Sequence, residues 1–200
     1  MIFSSQKTEA RLLYTVRPFR ESDKDNLRKI CMETSDDVFH KNEKLLKAVP
    51  LIYNDYFTEC EPENCFVAAD GEDKAVGYII CSSDKKKFLK EMRRVYIPRA
   101  SHQHPFMFFC SVAYMAGVLR HGKGEYAHLH IDITESYQHK GAGTALLDAL
   151  RAHLHEIGVD TLYVNTITRD DPAYPFYRKY GFEEYGNIGF GFITLGIKTK

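Results

Sequence analysis

The feature that constrains this chain most is a short glycine-containing segment, Gln138 to Gly143, between two patterned stretches. His128 to Ile133 before it predicts a strand. Gly141 to Ile157 after it predicts an amphipathic helix with one apolar face, formed by Leu146, Leu150, Leu154 and Ile157. Glycine lets a backbone approach a ligand closely, and a helix start offers free N–H groups and a positive dipole end. The segment therefore predicts an anion site suited to pyrophosphate, although the same pattern fits a turn that binds nothing.

Two other phosphate-binding motifs fit this segment poorly. A Walker loop requires Gly-Lys-Ser/Thr at a spacing that the chain lacks. A dinucleotide-binding turn requires a third small residue, and Leu146 occupies that position. The segment thus favours neither of these classes of nucleotide-binding protein.

Strands and helices alternate along the rest of the chain. In the first half, the patterns predict a strand at Tyr14 to Pro18, a helix after Glu21, a helical region over Lys41 to Tyr56 with a bend near Pro50, and a hairpin of Cys65–Ala69 and Ala75–Cys81. In the last third, they predict a strand at Thr161 to Ile167, a short helix starting at Pro172, and late strands at Phe182–Tyr185 and Phe190–Ile197. This order predicts a single α/β (mixed α+β) domain over residues 1–200, with a central mixed sheet flanked by helices. Residues 84–124 are expected to be an insertion with one or two helices.

Composition excludes several classes of partner. The 27 basic and 27 acidic residues balance, which predicts no nucleic-acid and no membrane partner. Five cysteines without a CxxC pair predict neither a disulfide framework nor a metal site, and favour a cytoplasmic protein. The first residues do not resemble a signal peptide, and the apolar stretch Phe106 to Leu119 is too short to span a bilayer, so it is expected to be a core helix or buried strand.

Two motifs in the last third carry a resemblance to a known family. Gln138-x-x-Gly141-x-Gly143 resembles the Gln/Arg-x-x-Gly-x-Gly/Ala signature of the GNAT family of N-acetyltransferases. Asp170-x-x-Ala173-x-x-Phe176-Tyr177-x-x-x-Gly181-Phe182 is similar to a second segment of that family. Thr15 to Pro18 and Val76 to Tyr78 resemble its first strand and its hairpin. The resemblance implies a mostly antiparallel sheet, acetyl-CoA as cofactor, and transfer of an acetyl group to a primary amine.

The resemblance also implies which residues bind acetyl-CoA. These are the strand backbone at Ile131 and Ile133, the turn residues Gln138, His139, Lys140, Gly141, Ala142, Gly143 and Thr144, and Asp170, Ala173, Phe176 and Tyr177 of the second motif. The side chains of Ile131 and Ile133 would equally suit a core. Asp170 departs from the family's usual asparagine, and its carboxylate is poorly suited to phosphates. Asp170 is therefore also a candidate for binding the substrate amine.

Tyr177 occupies the family's general-acid position, and a phenol can protonate a departing thiolate. It would also fit as a packed aromatic. Asp132 and His130 are the candidate bases because they alternate on one strand face. A strand histidine, however, is more often a core or edge residue, and an aspartate near a strand end often caps a turn.

The acceptor amine, on a small molecule or a protein, is expected to meet residues of the early helices and this strand face. The candidates are Tyr53, Asp55, Tyr56, His128 and Asp170, together with Glu43, and a solvated helix face is the alternative for the helical ones. A catalytically weak acyl-CoA-binding module is the competing function. His128 to Gln138 further resembles the acetyltransferase-like domain of O-GlcNAcases. The chain is expected to be a monomer or homodimer.

Overall fold

A seven-stranded sheet organises the chain in a computed structural model that describes residues 13–120, 127–189 and 191–200. Its spatial order is β1-β2-β3-β4-β5-β7-β6. The strands are β1 (Thr15–Pro18), β2 (Cys65–Ala69), β3 (Ala75–Ser82), β4 (Ala127–Ile133), β5 (Thr161–Ile167), β6 (Glu183–Gly189) and β7 (Phe192–Lys198). Neighbouring strands are antiparallel except β4 and β5, which are parallel. The predicted mixed, mostly antiparallel sheet is confirmed.

Helices flank this sheet on both faces. They are α1 (Lys24–Glu33), α2 (Asp37–His40), α3 (Glu43–Tyr53), α4 (Asp55–Cys60), α5 (Lys85–Glu91), α6 (Ile97–Gln103), α7 (Phe106–Arg120), α8 (Ala142–Glu156) and α9 (Tyr174–Tyr180). The helices α1 to α7 pack on one face of the sheet, and α8 and α9 pack on the other. Successive residues of each strand therefore contribute to two separate cores.

Several boundaries differ from the sequence predictions; β6, for example, extends to Gly189, whereas the pattern predicted an end at Tyr185. The second helical region breaks at Asn54, where φ is −135°, while Pro50 lies inside α3. The late helix α9 begins at Tyr174, because Asp171 accepts the Ala173 N–H at 2.7 Å and closes a turn ahead of the helix. The segment between β3 and β4 holds three helices, α5 to α7, and its last predicted residues, 121–124, lie outside the described ranges.

A buried carboxylate connects the early helices to the sheet. Glu61 is 2% exposed and follows α4 directly. Its two oxygens accept hydrogen bonds from Tyr56 Oη (2.6 Å), Ser82 Oγ (2.6 Å), the Ser83 N–H (2.7 Å) and Asn64 Nδ2 (3.0 Å). These donors offset the desolvation of the carboxylate, as a buried charge requires. Glu61 therefore fixes the end of β3, where the helical segment α5 to α7 begins.

Removing this carboxylate should destabilise the fold. In Glu61→Ala these donors lose an acceptor inside the protein, and we expect the free energy of unfolding to fall by about 3 kcal/mol in a urea titration. Glu63→Ala, two residues away at an exposed position, is the matched control and should leave the urea midpoint unchanged. Equal midpoints for the two variants would show that the Glu61 hydrogen bonds do not stabilise the chain.

Candidate active site

The sheet opens between its two parallel strands. Pairing of β4 with β5 covers only Ala127 and His128 in the described chain. Beyond these residues β4 stays paired with β3 up to Ile133, and β5 stays paired with β7 up to Ile167. The facing edges are therefore unpaired beyond His128 and leave a cleft between β4 and β5 toward the carboxyl end of β4.

Backbone groups of β4 face this cleft. The Thr134 N–H donates to Val76 O at 3.0 Å, which establishes which residues of β4 direct their backbone groups toward β3. In an antiparallel pair, alternate residues direct both backbone groups to the partner strand, and those between direct them away. The N–H groups of Ile131 and Ile133 consequently point toward β5, and their contact with a cofactor, which the resemblance implied, stays a prediction.

The turn after β4 has the backbone conformation of an anion cradle. His139 (φ 57°) and Gly141 (φ 87°) are both left-handed, and α8 begins at the next residue, Ala142. Left-handed residues followed by a helix start turn successive N–H groups toward one side. A side chain at Gly141 would be strained by this φ, and its Cβ would lie 3.1 Å from Tyr14 Oη. The first-turn N–H groups of Ala142, Gly143 and Thr144 have no acceptor within the helix.

Gly143 is required for close packing. A Cβ there would lie 3.0 Å from Phe176 Cζ and 3.4 Å from Ile133 Cδ1. The missing side chain thus lets the start of α8 approach both β4 and α9. The sequence predicted that this glycine contacts an anion, whereas its Cβ direction faces the neighbouring side chains.

The polar side chains of the turn brace the loop. Gln138 Nε2 donates to Ile133 O at 2.9 Å, and Lys140 Nζ donates to Ser136 O at 2.6 Å. Tyr14 Oη donates to Lys140 O at 3.3 Å. His139 is exposed. The turn is therefore held to both β4 and the segment before β1 while its N–H groups stay directed outward.

The second motif places Tyr177 beside the cleft. Its side chain is 5% exposed and packs between the rings of Phe176 (5.3 Å) and Phe182 (5.3 Å). Burial and the nearby carboxylates of Asp132 and Asp171 raise the pKa of the Tyr177 hydroxyl, so the phenol stays protonated at neutral pH. Asp170 and Ala173 lie in the turn before α9, with Asp170 exposed to solvent.

Asp132 has partners on two strands. It lies directly opposite Tyr78 in the β3–β4 register, and the Tyr78 hydroxyl donates to Asp132 Oδ2. His130 Nε2 lies 3.9 Å from the same oxygen. The Asp132 side chain is 17% exposed, so it combines protection from bulk water with access for a small group. The two predicted bases thus lie next to each other on the face toward α1 and α3.

The candidate acceptor residues divide into two groups. Tyr53 lies beside the bases: its ring stacks on His130 at 5.5 Å and contacts the Tyr114 ring of α7 at 5.3 Å. Glu43 is exposed and bonded to Lys47 at 2.5 Å. Asp170 is also exposed, whereas Asp55, Tyr56 and His128 lie in the interior at 0%, 0% and 1% exposure.

Each interior candidate has a position typical of a core residue. Asp55 accepts a hydrogen bond from Arg28 Nη1 at 2.6 Å, and Tyr56 donates to Glu61. His128 lies among aromatic rings, with the Phe88 centroid at 4.5 Å, and burial lowers its pKa to about 3. Its imidazole is neutral as a result. Contact of these three with an acceptor stays a prediction without support from their positions.

Sequence reasoning missed Tyr78 and Tyr14. Tyr78 is 0% exposed and reads as an ordinary core residue of a strand, and only the strand register brings it to Asp132. Tyr14 reaches the turn from a part of the chain 126 residues away. In the described ranges no group of three or more potential metal ligands assembles, and no helix combines the length and apolarity needed to cross a membrane.

A cleft between parallel strands that leads to an anion cradle defines a site for an extended ligand with an anionic part. The family model described as "Acetyltransferase (GNAT) family" matches residues 32–182, more than half of the 200 residues. The chain therefore belongs to the GNAT family of acetyltransferases. Members of this family transfer acyl groups and typically use acetyl-CoA.

Solved structures share the fold over nearly the whole chain. SsHAT is 25% identical, with 94% of this chain and 98% of that chain covered and a TM-score of 0.74. Ard1 from Thermoplasma volcanium is 18% identical, with 93% and 97% covered and a TM-score of 0.55. A histone acetyltransferase HPA2 and related acetyltransferase from Corynebacterium glutamicum is 19% identical, with 92% and 94% covered and a TM-score of 0.59. No curated protein matches the chain.

Proposed function

We propose that this chain is an N-acetyltransferase that moves an acetyl group from acetyl-CoA to a primary amine of a small molecule or protein. The observation that carries this proposal is the divergence of β4 from β5 directly ahead of the left-handed turn at Gly141. The divergence leaves polar backbone groups without a strand partner at a place where an extended amide-containing ligand could pair with them.

The residues present fit acetyl-CoA. The N–H groups of Ile131 and Ile133 suit the amide groups of a pantetheine arm, because they face the cleft with the spacing of a strand. The first-turn N–H groups of Ala142, Gly143 and Thr144 suit a pyrophosphate. His139 and Lys140 add cationic or polar side chains at the exposed rim, while Gln138 acts by holding the turn.

In this proposal the second motif, Asp170 to Phe182, supports the phosphate site by packing against it and does not itself bind the phosphates. Phe176 approaches Gly143 at the start of α8 closely enough to fix one wall of the cradle, and Ala173 packs against the same core. The exposed carboxylate of Asp170 is better suited to an amine than to a phosphate, because like charges repel. We therefore place Asp170 with the acceptor-side candidates.

Acetyl-CoA supplies a thioester when bound, and the amine nitrogen forms a new C–N bond as the C–S bond breaks. In this proposal the ionised Asp132 accepts the proton that the amine loses, directly or through water, with His130 beside it as the second candidate. The Tyr177 hydroxyl donates a proton to the departing sulfur, which leaves as a thiol. Its raised pKa keeps this proton available at neutral pH.

The acceptor approaches, in this proposal, from the face that carries Tyr53 and His130. The stacked rings of these residues lie on the same side of β4 as Asp132, and Tyr53 also contacts α7. An apolar stem attached to the amine would pack well on these rings, and a protonated amine would favour the nearby carboxylate. The identity of the acceptor is not specified by these contacts.

A catalytically weak acyl-CoA-binding module is the second candidate. It is favoured by the Tyr78 hydrogen bond, which already occupies one oxygen of Asp132, and by the low exposure of that side chain. The narrower resemblance to the acetyltransferase-like domain of O-GlcNAcases would fit either function. We keep a cytoplasmic location and a monomeric or homodimeric state as predictions.

The two candidates differ in release of free thiol. Purified protein is incubated with acetyl-CoA and a panel of amines, including polyamines, amino sugars, amino acids and lysine peptides, and thiol is measured with a chromogenic reagent. If the chain is an N-acetyltransferase, release of free thiol depends on at least one amine and is lost in Asp132→Asn. Stoichiometric binding of acetyl-CoA without amine-dependent release across the panel would favour the binding module.

A further inference from the structure

We propose that Tyr78 is a positioning residue: its hydroxyl holds one oxygen of Asp132 so that the other is aimed at the amine, and the acidic limit of activity therefore depends on Tyr78. This inference rests on the proposed function, because it concerns the base of the acetyl transfer. It adds a residue of β3 to the residues that position the base, because the β3–β4 register places Tyr78 opposite Asp132.

The geometry of the pair is fixed by the sheet. Tyr78 and Asp132 are directly opposite each other in the antiparallel register, so their side chains rise from the same face of the sheet as a cross-strand pair. Tyr78 is 0% exposed and its ring packs in the core with the helices α1 to α7. The hydroxyl therefore has a fixed place, from which it donates to Asp132 Oδ2.

This hydrogen bond separates the roles of the two carboxylate oxygens. Oδ2 accepts the Tyr78 proton and is also the oxygen nearer to His130 Nε2, at 3.9 Å. No residue that the structure describes donates a hydrogen bond to Oδ1, so this oxygen is available to the amine. Asp132 would otherwise rotate about its side-chain bonds, and the Tyr78 hydroxyl selects one orientation.

The groups that face Asp132 come from four elements. Tyr78 lies on β3, His130 on β4 itself, Tyr177 on α9 and Cys31 on α1. Burial and Asp132 raise the pKa values of Cys31, Tyr78 and Tyr177, so these three groups stay protonated and neutral at neutral pH. Of the four, only His130 can become a cation, which leaves the Tyr78 hydroxyl as the permanent donor to the carboxylate.

The consequence for pH follows from the sign of this hydrogen bond. A donor favours the ionised form of a carboxyl group over its protonated form, so it lowers the pKa of that group. Without the donor, a carboxylate that is only 17% exposed should take up a proton at a higher pH. A base that protonates at higher pH loses activity at higher pH, so the acidic limb of the pH profile should move upward.

The test is Tyr78→Phe, which removes the hydroxyl and keeps the ring. The carboxyl group of Asp132 is titrated by carbon-13 NMR of protein labelled at aspartate, without acetyl-CoA, with Asp132→Asn assigning its signal. The pH dependence of kcat/KM is measured in parallel with the best amine. We expect both the NMR titration and the acidic limb to move to higher pH in Tyr78→Phe, with about a tenfold loss of activity on that limb.

Tyr96→Phe is the matched control. Tyr96 is 2% exposed and its hydroxyl donates to a different carboxylate, Glu59, at 2.8 Å. This variant should show the wild-type titration of Asp132 and the wild-type pH profile. A melting curve of each variant reports whether the lost hydroxyl alters the fold.

The outcomes separate the inference from the function it rests on. An unshifted NMR titration in Tyr78→Phe, or a shifted titration with an unshifted acidic limb, overturns the role of Tyr78. Wild-type turnover in Asp132→Asn overturns instead the assignment of Asp132 as the base. Parallel shifts in Tyr78→Phe, combined with loss of turnover in Asp132→Asn, support the inference.

Discussion

Tyr177→Phe should lower kcat by about 100-fold while leaving the affinity for acetyl-CoA nearly unchanged. The substitution removes only the hydroxyl, and the ring keeps its contacts with Phe176 and Phe182. Without the phenolic proton, the departing thiolate must take its proton from water in the cleft between β4 and β5. Steady-state thiol release and a separate acetyl-CoA titration measure the two quantities.

Tyr180→Phe provides the comparison on the same helix. Its hydroxyl donates to Asp148 at 2.6 Å and does not contact Asp132 or the cleft. This variant should retain wild-type kcat. If Tyr177→Phe also retained wild-type kcat, Tyr177 would be a packing residue of α9 and the acid would be another group or water.

Gly143→Leu should weaken acetyl-CoA binding by about 100-fold or more. The first added carbon would already lie 3.0 Å from Phe176 and 3.4 Å from Ile133, so a larger side chain must separate α8 from β4 and α9. This separation displaces the N–H groups at the helix start, which are the proposed pyrophosphate ligands. Isothermal calorimetry with acetyl-CoA measures the loss.

The matched control is Ala152→Leu, which adds the same side chain to the exposed face of α8. It should bind acetyl-CoA like the wild type. Far-ultraviolet circular dichroism and a melting curve establish that Gly143→Leu is folded. Wild-type affinity in a folded Gly143→Leu variant would place the acetyl-CoA site elsewhere.

The sequence predicted the elements around the cradle well because local physics determines them. The amphipathic pattern from Leu146 to Leu154, the left-handed Gly141 and the terminating Gly158 (φ 80°) all act within a few residues. A helix requires such local signals to start, to bury a face and to stop. The predicted helix and the observed α8 accordingly agree to within one residue at each end.

The pairing of Tyr78 with Asp132 was beyond sequence reasoning. The two residues are 54 positions apart, and three helices lie between their strands. A shift of one residue in the β3–β4 register would place Tyr78 on the opposite face from Asp132. The hydrophobic pattern predicts that both strands exist, but it does not define which residues are opposite each other.

Burial of single polar residues was also beyond local reasoning. Asp55 and Tyr56 follow a helix break and resemble an exposed polar face in sequence, yet each is enclosed and bonded to Arg28 or Glu61. Buried polar groups depend on partners elsewhere in the chain. His128 likewise alternates with His130, but α4, α5 and α7 cover it with rings of Phe57, Phe88 and Tyr114.

The most direct test of the central claim is an NMR titration of nitrogen-15-labelled protein with acetyl-CoA. We expect saturable binding near one equivalent, with the largest amide shifts at Ile131, Ile133 and Ala142 to Thr144, because these N–H groups face the cleft and the cradle. Absence of binding, or shifts confined to residues away from the β4–β5 cleft and the start of α8, would contradict it.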